Sequence, residues 1–252
     1  MKIKGYTLGT GTPLICIPVT EVEQNKIYQA AENATAQKAD ALEWRMDWFA
    51  GADDWKQVEE TLNGLSEICR NVILLCTFRS KPQGGQRRIT EESYIRLLQN
   101  IAKSGRADLL DVEASELSDA SEIIRMLHSQ GQKVIASRHY FSNTPETEQM
   151  RQDLRKMQSD GADIGKLAVM PDTPLDVLRL MEATACIKEY APDYPLVTMA
   201  MGGLGAVSRV GGQLFGSCMT FASAGKASAP GQLPVEDTLM ILNKISESMR
   251  QT

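Results

Sequence analysis

The sequence predicts an α/β fold: a (β/α)8 TIM barrel with a small N-terminal β-hairpin, and a single barrel domain over residues 1–252. Three observations predict it. Eight short apolar runs read as strands, eight longer amphipathic patterns between them read as helices, and about 250 residues is the usual length for eight such units. Strands that are apolar almost throughout, each followed by a helix, imply a parallel sheet covered on its outer face. A doubly wound open sheet meets the same pattern, because periodicity does not show closure.

The elements follow in order. The opening MKIKGYTLGTGT reads as a hairpin turning at Gly9-Thr10-Gly11. PLICIPV, ALEWRMDW, VILLCTF, DLLDVE, KVIASRH, ADIGKLAV, LVTMAM and SCMTFAS are the eight strands. Helical spacing covers 25–37, 54–69, 91–104, 118–129, 145–159 and 174–190, then a shorter stretch from Leu204 and a last one over 235–249. Asp54 and Thr90 are suited to cap a first turn, and Thr144-Pro145 and Thr173-Pro174 place proline at the first helical position.

Composition narrows the function. A net charge of −5 and a pI near 5.2 provide no basic field for nucleic acid or an anionic membrane, so neither is expected as a partner. An anionic small-molecule substrate would need local arginines. The five cysteines form no CxxC pair and no zinc-type spacing. Cys16, Cys76 and Cys218 lie in apolar runs and read as reduced core residues of a cytoplasmic protein. No run reaches the roughly 18 apolar residues of a membrane span.

In barrels of this kind chemistry collects at the C-terminal strand ends, and the polar residues there form a set. Glu43, Arg45 and Asp47 alternate along the second strand and so share a face; a structural ion-pair network is the competing explanation. The third strand runs into Arg79, placed to hold an anion, and then into a glycine-bearing loop around Gln83 that reads either as a mobile lid or as plain surface. Asp111 and Glu113 share a face of the fourth strand. His139 ends the fifth, where an imidazole can move protons near neutral pH; the only other histidine, His128, sits in a helix. Lys166 interrupts the apolar sixth strand. Either it pairs with Glu43, Asp111 or Glu113, or it is a nucleophilic amine whose poor solvation favours the neutral form. Gly202-Gly203-Leu204-Gly205 and Arg209 follow the seventh strand, and a hydroxyl- and amide-bearing loop, 224–232, follows the eighth.

Taken together the set resembles the type I 3-dehydroquinate dehydratase family. LEWRMD (42–47), TFRS with QGG (77–85), SRHYFSNTP (137–145), ADIGKLAVMP (162–171), TMAMG (198–202), SR with FGS (208–217) and KASAPGQ (226–232) carry the resemblance in the family's order across nearly the whole chain. It implies a (β/α)8 barrel, a homodimer, no metal and no organic cofactor, with 3-dehydroquinate as substrate and a place in the shikimate pathway. By resemblance Lys166 is the Schiff-base lysine and His139 the general acid/base. Glu43, Arg45 and Arg79 surround the substrate hydroxyls and the catalytic pair, Arg209 binds the carboxylate, and Ser228 and Gln232 close over the substrate. Two positions depart from the pattern. Gln83 stands where many bacterial members carry Glu, and an amide cannot act as a base. Tyr140 follows His139 where some members carry a polar or acidic residue. A sugar-phosphate aldolase using the same lysine chemistry remains an alternative on the Gly202–Gly205 run, as does a catalytically silent ligand-binding barrel.

Overall fold

Eight parallel strands, hydrogen-bonded in chain order with the last returning beside the first, curl into a nearly closed barrel in a computed structural model that describes residues 1–9, 11–225 and 228–250. The barrel strands are β1 (Leu14–Val19), β2 (Ala41–Arg45), β3 (Ile73–Thr77), β4 (Leu109–Glu113), β5 (Lys133–Tyr140), β6 (Ile164–Val169), β7 (Leu196–Ala200) and β8 (Met219–Phe221). β8 returns to pair with β1, Met219 opposite Leu14. The β7–β8 seam is thinner. There Leu196 bridges to Ser217, the Cys218 N–H donates to the Leu196 carbonyl at 2.8 Å, and the Ser217 hydroxyl accepts the Thr198 N–H at 3.1 Å.

Among the described residues eight α-helices cover the outside: α1 (Gln24–Ala36), α2 (Trp55–Ile68), α3 (Glu91–Ser104), α4 (Ala120–Ser129), α5 (Thr147–Ser159), α6 (Pro174–Tyr190), α7 (Ala206–Gly211) and α8 (Val235–Met249). The Asp54 side chain caps α2 and the Thr90 hydroxyl caps α3, as their positions predict. Pro174 opens α6, where the Asp176 carboxylate accepts the Asp172 and Thr173 backbone N–H groups. Pro145 does not open α5: the helix starts at Thr147 behind Glu146, and the Thr144 hydroxyl donates to the Met170 carbonyl instead.

One device recurs at the N-terminal rim. Asp40, Asp108 and Asp163, each preceded by alanine and lying just before an even-numbered strand, accept the Ile15, Leu74 and Val134 backbone N–H groups at 2.9, 2.7 and 2.9 Å. Each carboxylate satisfies a donor on the preceding strand and fixes the register of that pair.

The hairpin differs from the sequence reading. Its strands are Lys2–Ile3 and Tyr6–Thr7, so it turns at Lys4-Gly5 rather than at Gly9-Thr10-Gly11. Both turn residues have positive φ, 46° and 84°, which is what a two-residue hairpin of right-handed twist requires and what glycine adopts without strain. Thr10 lies outside the described residues. The hairpin packs Ile3 and Leu8 against the barrel's interior cluster, closing its N-terminal end.

Two apolar layers result. Outward strand residues such as Leu42, Trp44, Leu74 and Val112 bury against the helices. Inward residues Leu14, Cys16, Ala41, Ile73, Leu75, Leu109, Ile135 and Ile164 fill the lower half of the interior. Cys16, Cys69, Cys76 and Cys218 are buried free thiols, and Cys186 is half-buried. Among the described residues no helix is long and apolar enough to cross a membrane.

Candidate active site

Strand alternation explains how the upper half of the interior is built. On β2, inward Ala41 is followed by Glu43 and Arg45. On β4, Leu109 is followed by Asp111 and Glu113; on β5, Ile135 by Ser137 and His139; on β6, Ile164 by Lys166. The nine residues to which the resemblance points (Glu43, Arg45, Arg79, Gln83, His139, Lys166, Arg209, Ser228 and Gln232) line one cavity of about 230 Å³ at the C-terminal mouth, whereas Asp47, Asp111 and Glu113 from the same polar set lie behind it.

Lys166 is 4% exposed. Its ammonium donates to Glu43 Oε1 at 3.3 Å and Asp111 Oδ2 at 3.4 Å, and lies 4.5 Å from the centroid of the Phe221 ring. The pairing expected of this lysine is present, and the same side chain also lines the cavity. Glu43 also accepts from the Thr77 hydroxyl at 2.9 Å.

Arg79 is not a free anion holder. It donates to Glu113 at 2.8 Å, to Asp111 at 3.0 Å and to the Ser137 hydroxyl at 3.0 Å. Burial opposes its charge, but Asp111, Glu113 and Glu43 outweigh burial and raise its pKa. Reciprocally, burial works against the Asp111 carboxylate while Arg79 and Lys166 hold it below the usual value. Glu113 is pushed up by burial. Asp47, assigned from the sequence to the second strand, lies beyond it in a 3-10 turn over Met46–Trp48, because the strand ends at Arg45. It is fully buried and receives both Arg45 Nε and Nη2, at 2.8 and 2.9 Å.

The loop after β3 is tethered rather than open. Asp47 accepts the Arg79 and Gln86 backbone N–H groups, and Arg87 donates to the Asp47, Phe49 and Ala50 carbonyls and to the Asp53 carboxylate. Gly85 is required there, since a Cβ would come within 1.8 Å of the Arg79 carbonyl oxygen. Gln83 is 6% exposed, and its carbonyl accepts the His139 backbone N–H at 2.8 Å. His139 is half-buried and stacks on Phe141, centroids 6.1 Å apart. Burial first, then the positive charges of Arg79, Lys166 and Arg45, hold its pKa well below the ordinary imidazole value. Tyr140 turns outward and donates to Asp153 at 2.7 Å, so it does not touch His139.

Arg209 contrasts with Arg79. It is 4% exposed, yet no carboxylate among the described residues pairs with it. Its protein contacts are the Pro230 carbonyl at 3.1 Å and the Met199 sulfur at 3.8 Å, and its Nε is buried without a partner. Burial lowers its pKa to about 10, leaving it charged at neutral pH. An unpaired buried cation facing a cavity is a site for an anion. Across the mouth, Ser228 N–H donates to Gln232 Oε1 at 2.8 Å, and Gln232 Nε2 donates to the Ser228 hydroxyl at 3.0 Å. Lys226 and Ala227, which belong to the KASAPGQ stretch, lie outside the described residues.

The Gly202–Gly205 run does not present a ring of free N–H donors. Gly202 N–H donates to the Pro230 carbonyl, Gly205 to Gly202, and Ala206 to Gly203. Sequence reasoning missed Phe221, Met199, Met201 and Phe141 as cavity walls. Phe141 was the most findable, two residues beyond His139.

A family model for type I 3-dehydroquinase matches residues 15–249. The 3-dehydroquinate dehydratase of Geobacillus kaustophilus is 41% identical over 245 residues, 96% of this chain and 95% of that one. The enzyme of the same name from Klebsiella pneumoniae is 40% identical over 98% of both. The crystal structure of the Geobacillus kaustophilus enzyme superposes with a TM-score of 0.95, covering 98% of this chain and 96% of that one. A type I 3-dehydroquinate dehydratase from Clostridium difficile, solved with covalent modified comenic acid, superposes with a TM-score of 0.93 at 37% identity, covering 98% and 97%.

Proposed function

We infer the reaction from the premise these likenesses establish: the chain belongs to the type I 3-dehydroquinase family. It is a hydro-lyase that converts 3-dehydroquinate to 3-dehydroshikimate and water. The observation that carries this reading is the sharing of one cavity by a buried lysine, a histidine held neutral and an arginine with no carboxylate partner among the described residues. The substrate is a cyclic ketone with a carboxylate and hydroxyls, and each group has a partner of suitable chemistry there.

The mechanism follows from those partners. Arg209 takes the carboxylate and orients the ring. Lys166 sheds a proton and attacks the ketone carbon, and the resulting carbinolamine loses water to give an iminium. The iminium acidifies the adjacent carbon, and His139 removes that proton to give an enamine. The enamine expels the hydroxyl β to the original carbonyl as His139 returns the proton, so one water leaves. A second water then hydrolyses the iminium, releasing 3-dehydroshikimate and free Lys166. Glu43, Arg45 and Arg79 hold the hydroxyls and the charge balance, Ser228 and Gln232 close the mouth, and Gln83 holds His139. Covalent modified comenic acid in the Clostridium difficile relative supports a covalent step. We place the enzyme in the cytoplasm, in the shikimate pathway, as a homodimer.

Borohydride added with 3-dehydroquinate should leave one reduced substrate on the peptide containing Lys166. A labelled peptide elsewhere would overturn the assignment. The ultraviolet absorbance of the conjugated enone product tests turnover directly.

A further inference from the structure

Gln83 is held at both ends by groups of fixed polarity. Its Oε1 faces the His139 backbone N–H at 2.8 Å, which only donates. Its Nε2 faces the Glu116 carboxylate at 2.8 Å, which only accepts, and the Ser115 hydroxyl at 3.2 Å. The amide therefore has a single orientation, since a flip would set two donors against each other at one end and two acceptors at the other. The same Oε1 lies 3.3 Å from His139 Nδ1. An amide oxygen accepts only, so Nδ1 carries the proton. His139 Nε2 has no protein partner among the described residues, and in the neutral ring it keeps its lone pair. Phe141 stacks on the ring face with an interplanar angle of 23°, so face and edge are both held.

We propose that Glu116, through Gln83, is a positioning residue that fixes His139 as the Nδ1–H tautomer and leaves Nε2 as the proton-accepting nitrogen. Glu116 is exposed on the turn after β4 (Ala114–Glu116) and touches neither His139 nor the cavity. Its effect passes through the orientation of one amide. Because Gln83 is neutral, the lock imposes a tautomer without adding negative charge, so the three cations around His139 keep the ring deprotonated. A base that must accept a proton at one defined atom is served by both properties. The inference rests on His139 being the acid/base of the proposed reaction.

The chain has only two histidines, so a His128→Gln background leaves a single imidazole spectrum. Ring nitrogen NMR shifts above neutral pH should show a protonated Nδ1 and an unprotonated Nε2. Glu116→Ala removes an exposed side chain; it should shift the ring toward Nε2–H and lower kcat by ~10-fold or more, with a smaller change in KM. Glu116→Gln keeps an acceptor oxygen and should restore both. Gln83→Glu keeps the acceptor on Nδ1 but adds charge, so it should keep the tautomer and move the acidic limb of the pH profile upward. A proton on Nε2 in the parent protein, or an unaltered tautomer and kcat in Glu116→Ala, overturns the proposal. If instead His139→Ala turns over normally while Nδ1–H is observed, the catalytic reading of His139 fails and the tautomer lock stands.

Discussion

The two halves of the barrel interior are made from the same strands at the same inward positions, yet they are chemically opposite. Below, Ala41, Ile73, Leu75, Leu109, Ile135 and Ile164 form a dry plug capped by the hairpin. One step up each strand stand Glu43, Thr77, Asp111, Ser137 and Lys166, buried as deeply but joined by hydrogen bonds and ion pairs. The plug contributes stability through apolar area and close packing. The upper layer is a weak source of stability, because desolvating its charges offsets most of their attraction. What it provides is a fixed arrangement of charge that opens on a cavity. Placing both layers on one set of strands lets the plug hold the charged layer in register.

Substitutions on either side of that boundary sharpen the contrast, the largest effect first. Lys166→Ala should abolish imine trapping and lower kcat by several orders of magnitude, measured by the enone assay; retained turnover would remove the lysine from the chemistry. Arg79→Ala leaves Asp111 and Glu113 buried beside a lost counter-charge, and should cost about 3–5 kcal/mol in urea unfolding. Ile164→Ala, two residues below Lys166 on the same strand face, should cost about 2–5 kcal/mol while kcat of the folded enzyme stays within a few-fold. Equal damage to kcat would mean that the plug takes part in positioning. Arg209→Ala breaks no ion pair among the described residues. Its stability should therefore move by about 1 kcal/mol or less, while KM rises roughly 10- to 100-fold through loss of the charged hydrogen bonds to the carboxylate.

The smallest effect is a slope. The folded state holds His139 below its ordinary pKa, so below about pH 6.5 the unfolded chain binds the proton that the folded one resists. Stability contributed at higher pH is then lost as pH falls through that value. His139→Gln should flatten the decline in urea midpoint between about pH 7.5 and 5.5 relative to the parent protein.

The sequence by itself determined a parallel sheet of eight strands under eight helices, because apolar runs and amphipathic helices of these lengths have few other ways to bury their faces; closure into a barrel rather than a doubly wound sheet lay beyond periodicity. It also carried the identity of the polar set, since charges inside apolar strands stand out and strand alternation places them on one face. It misplaced what depends on local chain reversal: the hairpin turn at Lys4-Gly5, the start of α5, and Asp47, which left the strand for a buried turn. Tertiary structure alone decided which charges are paired. Arg79 and Arg209 look alike along the chain, each following an apolar strand. Only closure of the barrel brings Asp111 and Glu113 to the first and leaves the second with no carboxylate among the described residues, because ion pairing depends on neighbours tens of residues away. Gln83 gained its role in the same manner: its loop folds back so that one amide spans His139 and Glu116, a contact that no spacing encodes.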